Sequence, residues 1–159
     1  MEGLGEIKMN LLEPYHYTEC GLDNVYLYNI PIVQDHNGEE TICIPKINLL
    51  HDTIAKALIM KKGLLNGDEI RFIRTHIGFK QAEFSELLGK EAQAVGRGER
   101  GETSTDKTTD ILIRSLAIKY LGLDVGINYE DISKLSAAEA ANDNIDIDGF
   151  KENYQIMAA

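Results

Sequence analysis

The sequence has little of what most function classes require. Its only cysteines, Cys20 and Cys43, lie far apart and form no C-x-x-C pair, which argues against a disulfide scaffold and fits a reducing compartment. No apolar run approaches the roughly 20 residues of a membrane helix, and residues 1–12 lack the basic start and apolar stretch of a secretory leader. The expected location is the cytoplasm, with no membrane partner. A phosphate-binding loop, a nucleophile and base at a recognisable spacing, and a plausible metal set are all missing, so neither an enzyme nor a cofactor is expected. His16, Cys20, His36 and Cys43 come nearest to a ligand set, but their spacing matches no common zinc site. The simpler reading is a hydrophobic sheet with two buried thiols.

Positive charge is scarce as well: the formal net charge is −10. It is unevenly placed. Residues 69–107 carry seven basic and seven acidic side chains, whereas from Asp124 onward eight acids face only Lys134 and Lys151. A neutral segment followed by an acidic one can still hold phosphate locally, with less long-range steering than a basic protein has. Hydrophobic residues make up 43% of the chain, an ordinary globular value, and 159 residues suffice for one substantial core or two small domains.

Residues 1–14 carry a helical pattern around Ile7, Leu11 and Leu12 that stops at Pro14, and read as an arm. Alternation over residues 15–33, with Val25 and Leu27 against Tyr26 and Tyr28, predicts two or three strands, and residues 41–44 another. From Ile47 to Met60, Leu50, Ile54, Ala57 and Leu58 recur at helical spacing, ending at Lys61-Lys62-Gly63. Asn66 or Asp68 can cap the next helix, with Ile70, Ile73 and Ile77 inward and Arg71 and Arg74 outward. His51 and His76 read as surface or half-buried helix residues.

Residues 80–101 then give two short helices joined at Gly89. Phe84, Leu87 and Leu88 form the core stripe of the first. In the second, Gln93 and Arg97 fall four apart and share one face, while Ala94 and Val95 turn inward. Glutamine can pair bidentately with adenine and arginine with guanine in the major groove, each worth about 1–3 kcal/mol of discrimination.

The stretch Gln81-Ala-Glu-Phe-Ser-Glu-Leu-Leu-Gly89, followed by Gln93-Ala-Val-Gly-Arg97-Gly-Glu-Arg-Gly101, resembles the lambda-repressor-like (XRE/Cro) helix-turn-helix family. The segment Tyr15-His-Tyr-Thr-Glu-Cys-Gly-Leu-Asp-Asn-Val-Tyr-Leu27 looks like the amino-terminal signature of MqsA-type antitoxin regulators, without their zinc-binding cysteines. The resemblance spans residues 15–122. It implies an α+β, mainly α fold: a small antiparallel N-terminal sheet followed by a five-helix lambda-repressor-like domain. It also implies a repressor of its own operon that binds a double-stranded DNA operator as a homodimer and pairs with a toxin protein. Gln93 and Arg97 would read bases, and Lys80, Gln81, Lys90 and Arg100 would hold phosphates. Several positions depart from the family pattern. Lys80 and Lys90-Glu91 stand where capping residues are usual, and Gly98 stands where a large residue is usual. With Gly96 it puts two glycines in the base-reading helix, each costing about 1 kcal/mol relative to alanine. That leaves open a short helix, or one that orders only on DNA, with specific binding weakened or lost.

A long helix with an apolar face wide enough for a second copy or for the N-terminal domain follows, around Ile111, Leu112, Leu116, Tyr120 and Leu121. Beyond Gly122 the composition turns acidic, which predicts a poorly ordered tail, either solvated or docking a basic partner. The expected division is an N-terminal sheet-plus-helix domain over 1–62, a DNA-binding domain over 66–122 and an acidic tail over 123–159.

Overall fold

Alternation of period two turns side chains of one parity inward. The computed structural model describes residues 6–141 and 143–157. In it β1 (Glu6–Asn10), β2 (Tyr15–His16), β3 (Val25–Tyr28), β4 (Pro31–Gln34) and β5 (Glu40–Ile42) precede the first helix. Val25 and Leu27 are fully buried, as their parity requires. The helical pattern expected near the N-terminus is corrected: residues 6–10 form a strand antiparallel to β4, with a register shift between Ile7 and Met9. Nucleating an isolated helix in so short a segment is unfavourable, whereas a strand completes the backbone hydrogen bonds of β4. Residues 1–5 of the expected arm lie outside the described residues.

Six α-helices follow among the described residues: α1 (Ile47–Ile59), α2 (Gly67–His76), α3 (Gln81–Leu88), α4 (Ala92–Glu99), α5 (Lys107–Leu121) and α6 (Tyr129–Ala137). The fold is α+β, but the count corrects the expected five-helix domain. Four helices fall within residues 66–122, and α6 comes from the segment expected to be a tail. That segment also supplies β6 (Ile145–Asp148) and β7 (Gln155–Ile156).

The strands make two sheets, one antiparallel in the order β1-β4-β5, the other mixed in the order β2-β3-β6-β7. In the second, β6 runs parallel to β3, pairing Val25 with Ile145 and Leu27 with Ile147. The expected small antiparallel N-terminal sheet is present as β1-β4-β5, and a second sheet, not expected, takes strands from the far end of the chain. Ile145 and Ile147 alternate with Asp146 and Asp148, so a half-buried strand keeps its carboxylates on the other face. Tyr154 is buried, donates its hydroxyl to the Pro45 carbonyl, and its own carbonyl accepts from Thr53 Oγ1 at 3.4 Å. These contacts seat the C-terminal segment on α1, so the acidic residues do not form a disordered tail.

Much of the wide apolar face of α5 is covered within the chain, where α5 packs against both α1 and α6, while Tyr120 near its end stays 44% exposed. A buried charge pair fixes this arrangement. Arg114, fully buried, donates to the carbonyls of Ile59, Lys61 and Gly63 and so satisfies the end of α1. Asp110, equally buried, accepts from the Leu65 amide at 2.7 Å and faces Arg114 Nε at 3.0 Å as an ion-pair contact rather than an aligned hydrogen bond.

Candidate nucleic-acid interface

The short helices α3 and α4 are too small to hold themselves together, so tertiary contacts decide their geometry. Phe84 is fully buried on α3, and Gly89 takes φ 66° to end that helix. The Lys90 amide then donates to the Ser85 carbonyl at 2.9 Å. No side chain caps α4, as the Lys90-Glu91 pair leads one to expect. At α3 the missing cap is compensated from within: the Glu83 carboxylate accepts from the Lys80 backbone amide at 2.8 Å.

The element that locks the unit is Glu99. Its carboxylate is almost fully buried and accepts from Arg74 twice, at Nε (2.6 Å) and at the second terminal nitrogen (3.0 Å). It accepts a third bond from Gln81 Nε2 at 3.0 Å. Arg74 also donates to the Phe79 carbonyl at 2.8 Å. One carboxylate at the end of α4 therefore gathers α2 and the start of α3 around it, in the bidentate geometry that suits arginine. Helical periodicity placed Arg74 outside; its side chain is in fact 13% exposed, which corrects that expectation.

A second lock lies at the start of α2. A Cβ on Gly67 would fall 2.4 Å from the Gly98 carbonyl oxygen and 2.5 Å from that of Glu99, so only glycine admits this backbone approach. The adjoining cap is reciprocal. Asn66 Oδ1 accepts from the Glu69 amide at 2.9 Å and Glu69 Oε1 from the Asn66 amide at 2.8 Å, while Lys61 adds an ion pair to the buried Glu69.

These anchors hold α4 as a helix through both glycines, from Ala92 to Glu99. Val95 and Glu99 face inward, and Gln93 and Arg97 are exposed on the opposite side. The two glycines serve different surroundings. At Gly96 a Cβ would meet Arg100 Nη1 at 3.2 Å and Gln81 Oε1 at 3.5 Å, so its absence lets those side chains lie over the helix. At Gly98 the nearest atom would be Thr103 Oγ1 at 3.8 Å, which leaves room.

Four of the six residues singled out in the sequence, Gln81, Gln93, Arg97 and Arg100, line one open hollow of about 390 Å³ together with Ala92 and Gly96. The other two do not join them. Lys90 lines a neighbouring hollow beside Gly98 and pairs with Asp106 at 3.2 Å, and Lys80 is exposed at the start of α3. Within the first hollow Arg100 is held by the exposed Glu102 at 2.8 Å, and this hydrogen bond keeps the Glu102 carboxyl below its usual range. So exposed a pair exchanges readily with solvent or a phosphate.

No family model matches the chain, and neither does any curated protein or solved structure. The interface is therefore judged on its geometry. Glu99 is the functional residue that sequence reasoning passed over. It stands between Gly98 and Arg100 in the quoted stretch, and nothing in its neighbours signals burial, because its partners Arg74 and Gln81 lie 25 and 18 residues away. Of the residues considered for zinc, His16 hydrogen-bonds the Asp23 carbonyl at 2.7 Å and stacks on Tyr26 at 4.5 Å. Among the described residues no group of three or more potential ligands is placed to hold a metal ion, and no helix is long and apolar enough to cross a membrane.

Proposed function

We propose that this protein is a sequence-specific DNA-binding transcriptional regulator whose helix α4 enters the major groove. A helix set in the groove needs one face anchored and the other free for base edges. One observation carries the reading: Gln93 and Arg97 project from the solvent side of α4 into a hollow shared with Gln81 and Arg100, while Val95 and Glu99 fix the other side. Gln93 and Arg97 read bases. Lys80, Gln81, Lys90 and Arg100 hold phosphates and set register. In keeping with the resemblance to MqsA-type regulators, the protein represses its own operon as a homodimer on a two-fold operator.

The test is a mobility shift on the DNA upstream of the gene, over a salt series. Gln93→Ala and Arg97→Ala should each weaken the specific complex by about 1–3 kcal/mol. Lys80→Ala and Lys90→Ala should weaken all sequences alike and lower the salt slope by about one each. An Arg97→Ala protein that binds its operator as tightly as the parent would refute the assignment.

A second activity, neutralisation of a basic toxin, is supported by a separate observation. Phe150, Ile156 and Met157 are exposed beside the acidic strand β6. Exposed apolar side chains close in sequence to carboxylates suit a basic protein partner. Co-expression with a basic protein encoded alongside should give a complex that Phe150→Asp disrupts; a complex indifferent to that change would place the contact elsewhere.

A further inference from the structure

Helix α2 has another face, which the DNA-reading arrangement does not use. There Phe72 and His76, with His51 from α1 and loop residues 19–21, line a half-open cavity of about 640 Å³. That volume lies within the range of small-molecule sites. Three rings line part of it: His51 and Phe72 are 5.4 Å apart edge-to-face, His51 and His76 5.6 Å, and Phe72 and His76 5.8 Å. Two of them are fixed from behind. His51 Nε2 pairs with the Tyr17 hydroxyl at 2.9 Å, and His76 Nε2 with Asp52 at 2.8 Å. Burial, then the neighbouring His76, lowers the His51 pKa, so that ring stays uncharged at neutral pH. The result is a fixed, angled wall of rings, two imidazoles and a phenyl, against which another ring can pack edge-to-face.

The rim is charged in both signs. Arg71 and Asp68 are exposed and line the cavity from α2, neither making an ion pair among the described residues, and the exposed Glu19, whose carboxylate accepts from the Tyr15 hydroxyl, adds a second acid from the loop. Three residues apart on a helix, Arg71 and Asp68 have Cβ atoms about 5–6 Å from each other. Both can therefore be engaged at once by a molecule that carries a carboxylate and an ammonium on neighbouring atoms. Asn48 adds a neutral amide from α1.

We propose that this cavity binds a small aromatic zwitterion of the aromatic amino-acid class, its ring against His51 at the edge of the buried Phe72, its carboxylate on Arg71 and its ammonium on Asp68, as an effector of operator binding. The effector role rests on the DNA-binding reading above. Its physical route is α2 itself. The helix whose Phe72 and His76 line the cavity also carries Arg74, bound to Glu99 at 2.6 Å, and begins at Gly67, which abuts the carbonyls of Gly98 and Glu99. A ligand that tightens α2 against α1 thereby biases the placement of α4.

The chain contains no tryptophan, so added tryptophan reports on its own binding through indole emission excited beyond the tyrosine band. Binding should saturate, and tyrosine or phenylalanine should compete. Arg71→Gln and Asp68→Asn should each weaken tryptophan by about tenfold or more, because each removes a charge-assisted contact. Tryptamine, which lacks the carboxylate, should be insensitive to Arg71→Gln, and indole-3-propionate, which lacks the ammonium, to Asp68→Asn. Both positions are exposed, and a melting curve unchanged from the parent certifies the variants as folded. Absence of saturable binding by all three amino acids overturns the proposal, and so does binding that both variants retain. In the operator assay, saturating tryptophan should change affinity by about fivefold or more, the usual scale of coupling between sites. An unchanged affinity overturns the effector role. Should no operator complex form at any ligand concentration, the DNA-binding reading fails and the effector role with it, while the fluorescence titration still decides whether the cavity binds the amino acid.

Discussion

The helical unit over residues 66–122 is closed by neighbours, whereas the second sheet is closed by the two ends of the chain. Arg74 reaches Glu99 across 25 residues and Gln81 reaches it across 18. In the sheet, Asn24 bonds the Asp143 carbonyl and Asn29 bonds Asp148 across 119 residues each. Contacts of short separation lose little chain entropy and form early, whereas a parallel pairing across most of the chain must wait for everything between. The helical unit is thus a local structure, and the sheet a clasp over the α1 face that chain entropy predicts to form late. If the comparison is right, the two regions should fail differently when single groups are removed.

The largest expected effect is at Glu99. Glu99→Ala leaves the Arg74 guanidinium without its carboxylate in a site where Arg74 is only 13% exposed, and breaking such a buried pair costs about 3–5 kcal/mol. Urea denaturation measures the loss, and operator binding should disappear with it. A cost below about 1 kcal/mol, the scale of an exposed ion pair, would mean that α2, α3 and α4 are held by their apolar contacts alone.

Next comes the clasp. Ile147 is fully buried between strands that meet only in the folded chain, so Ile147→Ala should destabilise by about 2–5 kcal/mol. A solvated tail would register within about 0.5 kcal/mol. Refolding kinetics sharpen the contrast. If the clasp forms late, Ile147→Ala should chiefly accelerate unfolding and leave the folding rate close to that of the parent. A variant that instead folds much more slowly would place the C-terminal strands in the nucleus.

This difference also explains which parts of the fold were legible. Helices α1 to α5, the turn at Gly89 and the exposed pair Gln93 and Arg97 follow from periodicity within about ten residues, and all lie where the spacing puts them. Strands β6 and β7 do not, because acidic composition outweighed the four-residue alternation of Ile145 to Asp148, which is itself a strand signal. The buried charges were illegible for a related reason. Asp110 and Arg114 stand four apart and look like a surface helix pair, and only the carbonyls at the end of α1, more than fifty residues away, explain their burial. Within the candidate site, the exposed Gln93 and Arg97 were visible and the buried Glu99 that anchors their helix was not.

A smaller effect tests the local logic at one helix end. Asp106 caps α5 by accepting from the Thr109 amide at 2.8 Å, and that bond, then the Thr109 hydroxyl and Lys90, bring its pKa down from 3.8 to about 2. Asp106→Ala should cost about 1 kcal/mol at neutral pH. Because the folded pKa is the lower one, this stabilisation is complete above the unfolded value and is lost as pH falls through the folded value. The stability gap between the two proteins should therefore shrink as pH falls from about 4 to about 2, and a gap undiminished at pH 2 would show that the cap acts without its charge.

The smallest effect separates the two glycines of α4 and is the finest probe of the reading head. Alanine in place of an interior helical glycine stabilises by about 1 kcal/mol where space allows. Gly98 has that space, its nearest neighbour lying 3.8 Å from an added Cβ, and it lines the hollow beside Lys90 rather than the one beside Arg97. Gly98→Ala should raise stability and leave operator affinity as it was. At Gly96 the added methyl meets Arg100 Nη1 at 3.2 Å and the Gln81 amide at 3.5 Å, so the helix gain is opposed by displacement of two residues assigned to phosphates. Gly96→Ala should gain less stability than Gly98→Ala and bind DNA more weakly. Equal behaviour of the two variants would mean that Gln81 and Arg100 do not need to lie over α4, and the hollow at Gly96 would lose its role in the interface.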